Sequence, residues 1–146
     1  MLRLATEADV PRLRELMAEY YAEVGYPFEA TAARDCFAAI VRNPALGRVW
    51  LIDAGGEAAG YAVLAFGYSL EYRGLDAFVD DLYVVPARRG RGFGQQALEA
   101  VEAAARELGV RALHLEVERE NASAQALYLR RGFRDTDRRL MTKRLA

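Results

Sequence analysis

A turn rich in arginine and glycine, residues 88–94, is the stretch of this sequence best suited to bind an anion. Gly90, Gly92 and Gly94 can adopt backbone angles closed to other residues, which lets successive amide groups converge on one point. The apolar stripe that follows predicts a helix, whose free N–H groups and positive dipole end would face the same point. The pattern therefore predicts a phosphate or pyrophosphate site between a strand and a helix.

The spacing within this turn excludes two common phosphate-binding loops. A nucleoside-triphosphate loop ends in Gly-Lys followed by serine or threonine, and no lysine follows these glycines directly. A dinucleotide loop requires Gly-x-Gly-x-x-Gly, but counting from Gly90 the last position is Gln95. The arrangement that does fit is Arg-x-x-Gly-x-Gly, formed by Arg89, Gly92 and Gly94 directly after a strand-like run.

A second pattern lies downstream, at residues 121–133, and reads Asn-x-x-Ala-x-x-Leu-Tyr-x-x-x-Gly-Phe. Asn121 is a favourable cap for a short helix, and Gly132 suits the left-handed position just past its end. Ala124, Leu127 and Tyr128 are spaced at i, i+3 and i+4, so they share one face of that helix. Together the two patterns resemble the signature motifs of the GCN5-related N-acetyltransferases, the GNAT superfamily, which binds acetyl-coenzyme A. The resemblance is specific over residues 82–133.

The composition is that of one domain, residues 1–146, without a charge bias. There are 20 lysines and arginines against 21 aspartates and glutamates, which gives no sign of a nucleic-acid partner. A single cysteine, Cys36, excludes an internal disulfide, and its apolar flank predicts a core position. No signal peptide and no apolar run near ~18 residues are present, so we expect a cytoplasmic protein with no membrane partner.

Hydrophobic periodicity predicts ten elements in the order β-α-α-β-β-β-α-β-α-β. This is the α+β arrangement that the resemblance implies: three layers (α/β/α) around a mixed, mostly antiparallel GNAT-like sheet. The only histidine, His114, shares a strand face with Glu116 and Glu118; this geometry is poor for a metal, so none is expected. Strands are predicted at residues 2–5, 48–53, 58–67, 77–85, 113–118 and 138–143, and helices up to residue 24, at 30–42, at 97–108 and between Asn121 and Gly132.

The resemblance also implies which residues hold acetyl-CoA. Amides around residues 91–95 would bind the pyrophosphate, and the exposed backbone of residues 82–84 would pair with the pantetheine arm. Asn121 would reach that arm or act only as a helix cap. The residues assigned to the cofactor are Leu82, Tyr83, Val84, Arg89, Gly90, Arg91, Gly92, Phe93, Gly94, Gln95, Asn121 and Tyr128.

Transfer of an acetyl group to an amine needs a base. A lysine-like amine of pKa ~10.4 is neutral in only about one molecule in 2,500 at pH 7, a gap of roughly 4.6 kcal/mol. Asp80 and Asp81 are the candidates, and since adjacent strand residues face opposite sides, at most one should face the reacting centre. The resemblance favours Asp80, directly or through a water, because related enzymes often carry an acid or a histidine four positions before the counterpart of Val84. A charged sheet edge is the alternative.

The leaving thiolate needs a proton donor, and the resemblance assigns that role to Tyr128. A tyrosine hydroxyl, of pKa ~10, can donate a proton as charge builds on a thiolate whose conjugate acid has pKa ~8.5. The candidate catalytic residues are therefore Tyr128, Asp80 and Asp81.

Acids mixed with aromatics in the segments that form the acceptor site of this family suit a cationic amine. The predicted acceptor is a small cationic amine, and the alternative is a protein N-terminus or a lysine side chain. A rival of another class is an acyl-CoA-binding sensor domain without turnover. A homodimer is left open. The residues assigned to the acceptor are Tyr20, Glu23, Tyr26, Glu71 and Asp80.

Overall fold

The structure, a computed structural model, describes all residues from Met1 to Ala146. They group into two compact units, Met1–Leu115 and Glu116–Ala146. The first unit holds the whole sheet and three helices, and the second holds one helix. A single domain over residues 1–146 stays a prediction.

One five-stranded sheet forms the centre of the first unit, and its strands lie side by side in chain order. Neighbouring strands run antiparallel except for the last pair, β4 and β5, which is parallel. This confirms the mixed, mostly antiparallel sheet. The strands are β1 (Leu2–Leu4), β2 (Gly47–Asp53), β3 (Ala58–Ser69), β4 (Gly74–Val84) and β5 (Ala112–His114).

Helices cover both faces of this sheet. The helices α1 (Val10–Val24) and α2 (Ala30–Arg42) share one apolar cluster with Leu51 of β2. The next residue along β2, Ile52, belongs to a second cluster with α3 (Phe93–Glu107). Since successive strand residues face opposite sides of a sheet, the predicted three layers are confirmed.

The helix boundaries follow local sequence signals. At the start of α2 the Glu29 carboxylate accepts hydrogen bonds from two free backbone N–H groups, and Gly25 ends α1 in the left-handed conformation (φ 77°). None of the four helices combines the length and the apolar character needed to cross a membrane.

Three expectations are wrong. No strand forms at residues 138–143, which are exposed throughout and lack the alternation that would give a strand one apolar face. The strand predicted at 113–118 ends at His114, because its ladder with β4 stops at the pair Phe78–His114. Cys36 is exposed, since it falls outside the stripe of α2 that buries Ala33 and Phe37.

Candidate functional site

A β-bulge interrupts β4 where the predicted catalytic acids lie. Across the ladder to β3, Asp81 pairs with Val63 and Val79 pairs with Leu64, so Asp80 is an extra residue. Such a bulge shifts the side-chain alternation by one position. Val79 and Asp81 therefore face opposite sides of the sheet although they are two residues apart.

The expectation that at most one of the two aspartates faces the reacting centre stays a prediction, but the charges of both act on one tyrosine of α1. Desolvation is the main cause that raises the pKa of the Tyr21 hydroxyl on α1, and the charges of Asp81 and Asp80 both add to it. The pKa of Asp80 is itself raised by desolvation, although the residue stays accessible to water. Both carboxyl groups thus act on the space beside α1.

Among the acidic side chains, Asp81 has the largest shift in pKa. Burial raises the pKa of its carboxyl to about 7; a hydrogen bond from Tyr61 opposes this rise, and the charge of Asp80 adds to it. The Tyr61 hydroxyl donates to Asp81 Oδ2 at 2.7 Å from a fully buried ring, which fixes the carboxyl in place. A carboxyl that titrates near neutrality can take up a proton at pH 7, as a general base must.

Aromatic rings from α1, the loop after it and β4 line the same space. Tyr20 stacks on Tyr83 with ring centroids 5.2 Å apart, and Tyr21 contacts Tyr20 and Tyr26 edge-on at 5.6 and 5.5 Å. The structure thus brings the predicted acceptor residues Tyr20 and Tyr26 together with the aspartates through Tyr21. Electron-rich faces beside carboxylates suit a cationic group.

The other two predicted acceptor residues lie elsewhere. Glu71 is in the exposed turn before β4, and six strand residues separate the start of β4 from Asp80, about 20 Å of strand. Glu23, near the end of α1, forms an ion pair with Arg89 instead of facing the aspartates freely.

The turn at residues 88–94 has the backbone expected of an anion site, with one difference. Gly90 and Gly92 are left-handed (φ 74° and 82°), whereas Gly94 has ordinary helical angles inside α3. A side chain added at Gly94 would meet no atom of the chain, so the space in front of it is open. No side chain caps the N-terminus of α3, which leaves its first N–H groups for a ligand.

The three arginines of this turn differ in their partners. Arg88 pairs with Glu57 at 2.8 Å, and Arg89 binds Glu23 with two hydrogen bonds. Arg91 is exposed and pairs with no acidic side chain of the chain. Of the three, Arg91 is therefore the cation left for an external anion.

The backbone of residues 82–84 has one open edge. β3 pairs with β4 as far as Val84, but β5 pairs only with residues 76–78 on the other side. From Val79 onward that second edge has no strand partner, which suits an extended ligand such as the predicted pantetheine arm. Arg89 Nε already donates to the Val84 carbonyl at 2.9 Å.

His114 has a structural environment. Its Nε2 lies 2.9 Å from Asp76 Oδ2, and its ring packs between Tyr72 and Phe78 at 5.2 and 5.0 Å. No three histidine, cysteine or acidic side chains cluster as metal ligands in the chain.

In the second unit, the helix α4 (Ala122–Arg130) carries the other predicted site residues. The Asn121 side-chain oxygen accepts a hydrogen bond from the Ala124 N–H at 3.2 Å and so caps the helix. Burial raises the pKa of Tyr128, whose ring contacts Phe133 at 5.9 Å. The acid role of Tyr128 and a cofactor role for Asn121 stay predictions.

Two residues of this site, Tyr61 and Tyr21, are not among those assigned to it from the sequence. Tyr61 looks like one apolar position in a strand, and its contact with Asp81 depends on the register between β3 and β4. Tyr21 shows a weak signal, because it lies in an aromatic and acidic segment beside two predicted acceptor residues.

Comparison with known proteins agrees with this architecture. Residues 10–133 match the model of the acetyltransferase (GNAT) family, so the chain belongs to that family. The resemblance drawn from the two motifs is confirmed, and with it the class of enzyme, an N-acetyltransferase.

Relatives support the assignment over most of the chain. The aminoalkylphosphonate N-acetyltransferase of Salmonella typhimurium is 30% identical over 136 residues, 92% of this chain and 85% of that protein. The uncharacterized N-acetyltransferase YycN of Bacillus subtilis is 40% identical over 75 residues, 51% of this chain, and this stretch spans only 47% of YycN. A crystal structure of the integron cassette protein HFX_CASS3, from the mobile metagenome of Cole Harbour Salt Marsh, has a TM-score of 0.89 at 43% identity and covers 99% of this chain and 90% of that one.

Proposed function

We propose that this chain moves an acetyl group from acetyl-CoA directly to a primary amine, and that the acceptor is a small cationic amine. The observation that carries the proposal is the environment of Asp81: a carboxyl with a pKa of about 7, held by Tyr61 and facing tyrosine rings. It lies on the strand that runs directly into the anion-binding turn.

The residues of the turn fit the phosphate end of coenzyme A. The uncapped N–H groups at the start of α3, the open space at Gly94 and the Arg91 cation are suited to a pyrophosphate. The open edge of β4 between Val79 and Val84 offers backbone groups to the amide-containing arm. When bound, acetyl-CoA supplies an acetyl thioester, which an amine can attack.

Asp81 would act as the base. Its raised pKa of about 7 brings it some three units closer to that of an amine than an ordinary aspartate, which removes about 4 kcal/mol from the cost of proton transfer. Asp80 would bind the ammonium group beside it. The favoured base thus moves from Asp80, which the family pattern suggested, to its neighbour.

The amine nitrogen bonds to the acetyl carbonyl carbon and the carbon–sulfur bond breaks. The ammonium group loses its first proton through Asp81 to solvent. Tyr128 donates its hydroxyl proton to the leaving thiolate and is reprotonated by the second proton that the nitrogen releases, so that the amide and the coenzyme A thiol are both neutral.

The acceptor class follows from charge. Asp80 and Asp81 lie beside Tyr21, whose ring contacts those of Tyr20 and Tyr26, and neither aspartate has a cationic partner in the chain. Carboxylates and ring faces together favour a cation. The amine named for the Salmonella relative is likewise a small molecule. A lysine side chain or a protein N-terminus, also cationic, is the competing acceptor.

The test is release of coenzyme A thiol from acetyl-CoA against a panel of amines, beside a blank without acceptor. Polyamines, aminoalkylphosphonates, basic and acidic amino acids, aminoglycosides and N-terminal peptides form the panel. We expect turnover with a small cationic amine. Turnover only with peptides would show that the acceptor is a protein N-terminus or a lysine side chain. Binding of acetyl-CoA without any turnover would show that the chain is a sensor domain and not an enzyme. Absence of acetyl-CoA binding would show that the turn has another ligand.

A further inference from the structure

We propose that Arg89 positions the acceptor helix α1 through its ion pair with Glu23 and does not bind the cofactor's pyrophosphate. The inference rests on the proposed function and changes the roles of two predicted site residues. Arg89 was assigned to the cofactor and Glu23 to the acceptor, whereas the structure makes each the partner of the other.

The Arg89 guanidinium uses all three of its nitrogen atoms within the chain. Nη1 and Nη2 donate to the two carboxylate oxygens of Glu23 at 2.7 and 2.6 Å, and Nε donates to the Val84 carbonyl at 2.9 Å. The same group lies over the Tyr83 ring, 5.7 Å from its centroid. A side chain held by three contacts links two elements of the fold, and few of its N–H groups remain available to bind a phosphate.

α1 needs this cation at its end. Glu23 lies in the last turn of the helix, where the helix dipole disfavours negative charge, and no basic residue of α1 lies in that turn. Arg89, 66 residues further along the chain, supplies the missing positive charge. An isolated surface pair contributes little, but this one is bidentate and belongs to a network.

The network continues into the acceptor site. Tyr83, beneath Arg89, stacks on Tyr20 of α1 and donates a hydrogen bond to Glu19 at 3.4 Å. Tyr20 in turn contacts Tyr21, which lies beside the two aspartates. Loss of the Glu23–Arg89 pair should therefore loosen the end of α1 and displace these rings, while the amides at the start of α3 keep their positions.

The experiment is a double-mutant cycle with two independent readouts. Glu23→Gln, Arg89→Gln and the double variant are compared for the acceptor KM, and for the acetyl-CoA Kd measured by calorimetry. We expect each single variant to raise the acceptor KM by about tenfold, with no further rise in the double variant. The acetyl-CoA Kd should stay within about twofold, and the exchanged pair Glu23→Arg with Arg89→Glu should recover part of the lost affinity.

Glu57→Gln is the matched control, because it breaks the neighbouring Arg88 ion pair on the same turn and should leave the acceptor KM unchanged. A rise in the acetyl-CoA Kd with Arg89→Gln but not with Glu23→Gln would overturn the proposal, since it would make Arg89 a pyrophosphate ligand. Additive effects of the two substitutions would overturn it as well.

Hydrogen exchange separates this proposal from the proposed function. The Gly25 and Tyr26 amides, both bonded to the Tyr21 carbonyl at the end of α1, should exchange faster in Glu23→Gln and in Arg89→Gln. This measurement needs neither an acceptor nor turnover, so it tests the role of the ion pair even if the proposed function is wrong. Unchanged exchange in both variants would show that the pair does not brace α1.

Discussion

Two charged regions of the first unit, the aspartates of β4 and the arginines of the turn after it, differ in whether their side chains have partners of opposite charge. Asp80 and Asp81 have no cationic partner, and the hydrogen bond that Asp81 accepts comes from a neutral tyrosine. In the turn, Arg88 and Arg89 are each paired with a glutamate, which leaves Arg91 as the cation without an acidic partner.

The comparison separates charges that hold the fold from charges left for ligands. Paired arginines tie the turn to neighbouring elements, whereas Asp81 has no cation beside it, and burial, with the charge of Asp80 added, raises its pKa, which means that its charged form is disfavoured. Proteins tolerate such a cost where function needs it. This difference supports the proposals that the aspartates bind the cationic acceptor and that Arg91 with the free amides of α3 binds an anion.

Neutralising Asp81 is the most direct test of the role proposed for the unpaired aspartates. Asp81→Asn should lower kcat by about 10²–10⁴-fold at pH 8, because the base is lost while the shape is kept. Asp80→Asn is the matched control and should mainly raise the acceptor KM. Thiol release under saturating acetyl-CoA measures both, and the assignment fails if Asp80→Asn is the variant that loses kcat.

Asp81→Asn, although it should lower kcat, is expected to make the folded protein more stable at high pH. The folded-state pKa of Asp81, about 7, lies above its unfolded value, so folded wild type binds the extra proton and loses stability as pH rises from ~4 to ~7. Asp81→Asn should therefore be more stable than wild type at pH 8, by at most about 4 kcal/mol, and close to it at pH 4. Urea unfolding at the two pH values measures the difference. A variant less stable at pH 8 would contradict the unpaired charge.

Tyr128, the predicted proton donor, belongs to neither of these two regions, and its role can be tested separately. Tyr128→Phe should lower kcat by about 10²-fold with little change in the acetyl-CoA Kd, because only the hydroxyl is lost. Rapid-mixing kinetics and calorimetry measure the two quantities. A kcat within threefold of wild type would rule out the acid role.

The sequence predicts the parts of this molecule that depend on local pattern. The helical period and Asn43-Pro44 place α2 at residues 30–42, as observed. Glycines and arginines in fixed order identify the turn before α3. In both cases the interactions that decide the conformation lie within a few residues of each other.

Features that depend on long-range pairing were not predictable in this way. The bulge at Asp80 exists only in the register between β3 and β4, and alternation along one strand cannot show it. The Glu23–Arg89 pair joins residues 66 positions apart. The strand expected at residues 138–143 has no ladder partner, and strand propensity without a partner does not make a strand.

Tyr61→Phe tests how the aspartates are held. Removing the hydroxyl removes a donor that favours the charged carboxylate, so the pKa of Asp81 should rise above about 7. The acidic limb of the kcat/KM profile should then move up by roughly one pH unit, with about a fivefold loss at pH 7 that recovers by pH 9. A loss of equal size at every pH would instead indicate a packing defect in the core.

The smallest expected effect tests the anion site. Gly94→Ala replaces a glycine with helical angles, so the variant should be more stable by about 0.5–1 kcal/mol. Its new methyl group enters the open space in front of α3 and should weaken acetyl-CoA binding by roughly fivefold to tenfold if the pyrophosphate lies there. Gly92→Ala is the contrast, because its φ of 82° strains any side chain and should cost stability as well as affinity. Unfolding curves and calorimetry on the two variants separate backbone strain from ligand contact. A Gly94→Ala protein that gains stability and keeps full affinity would move the anion away from the start of α3.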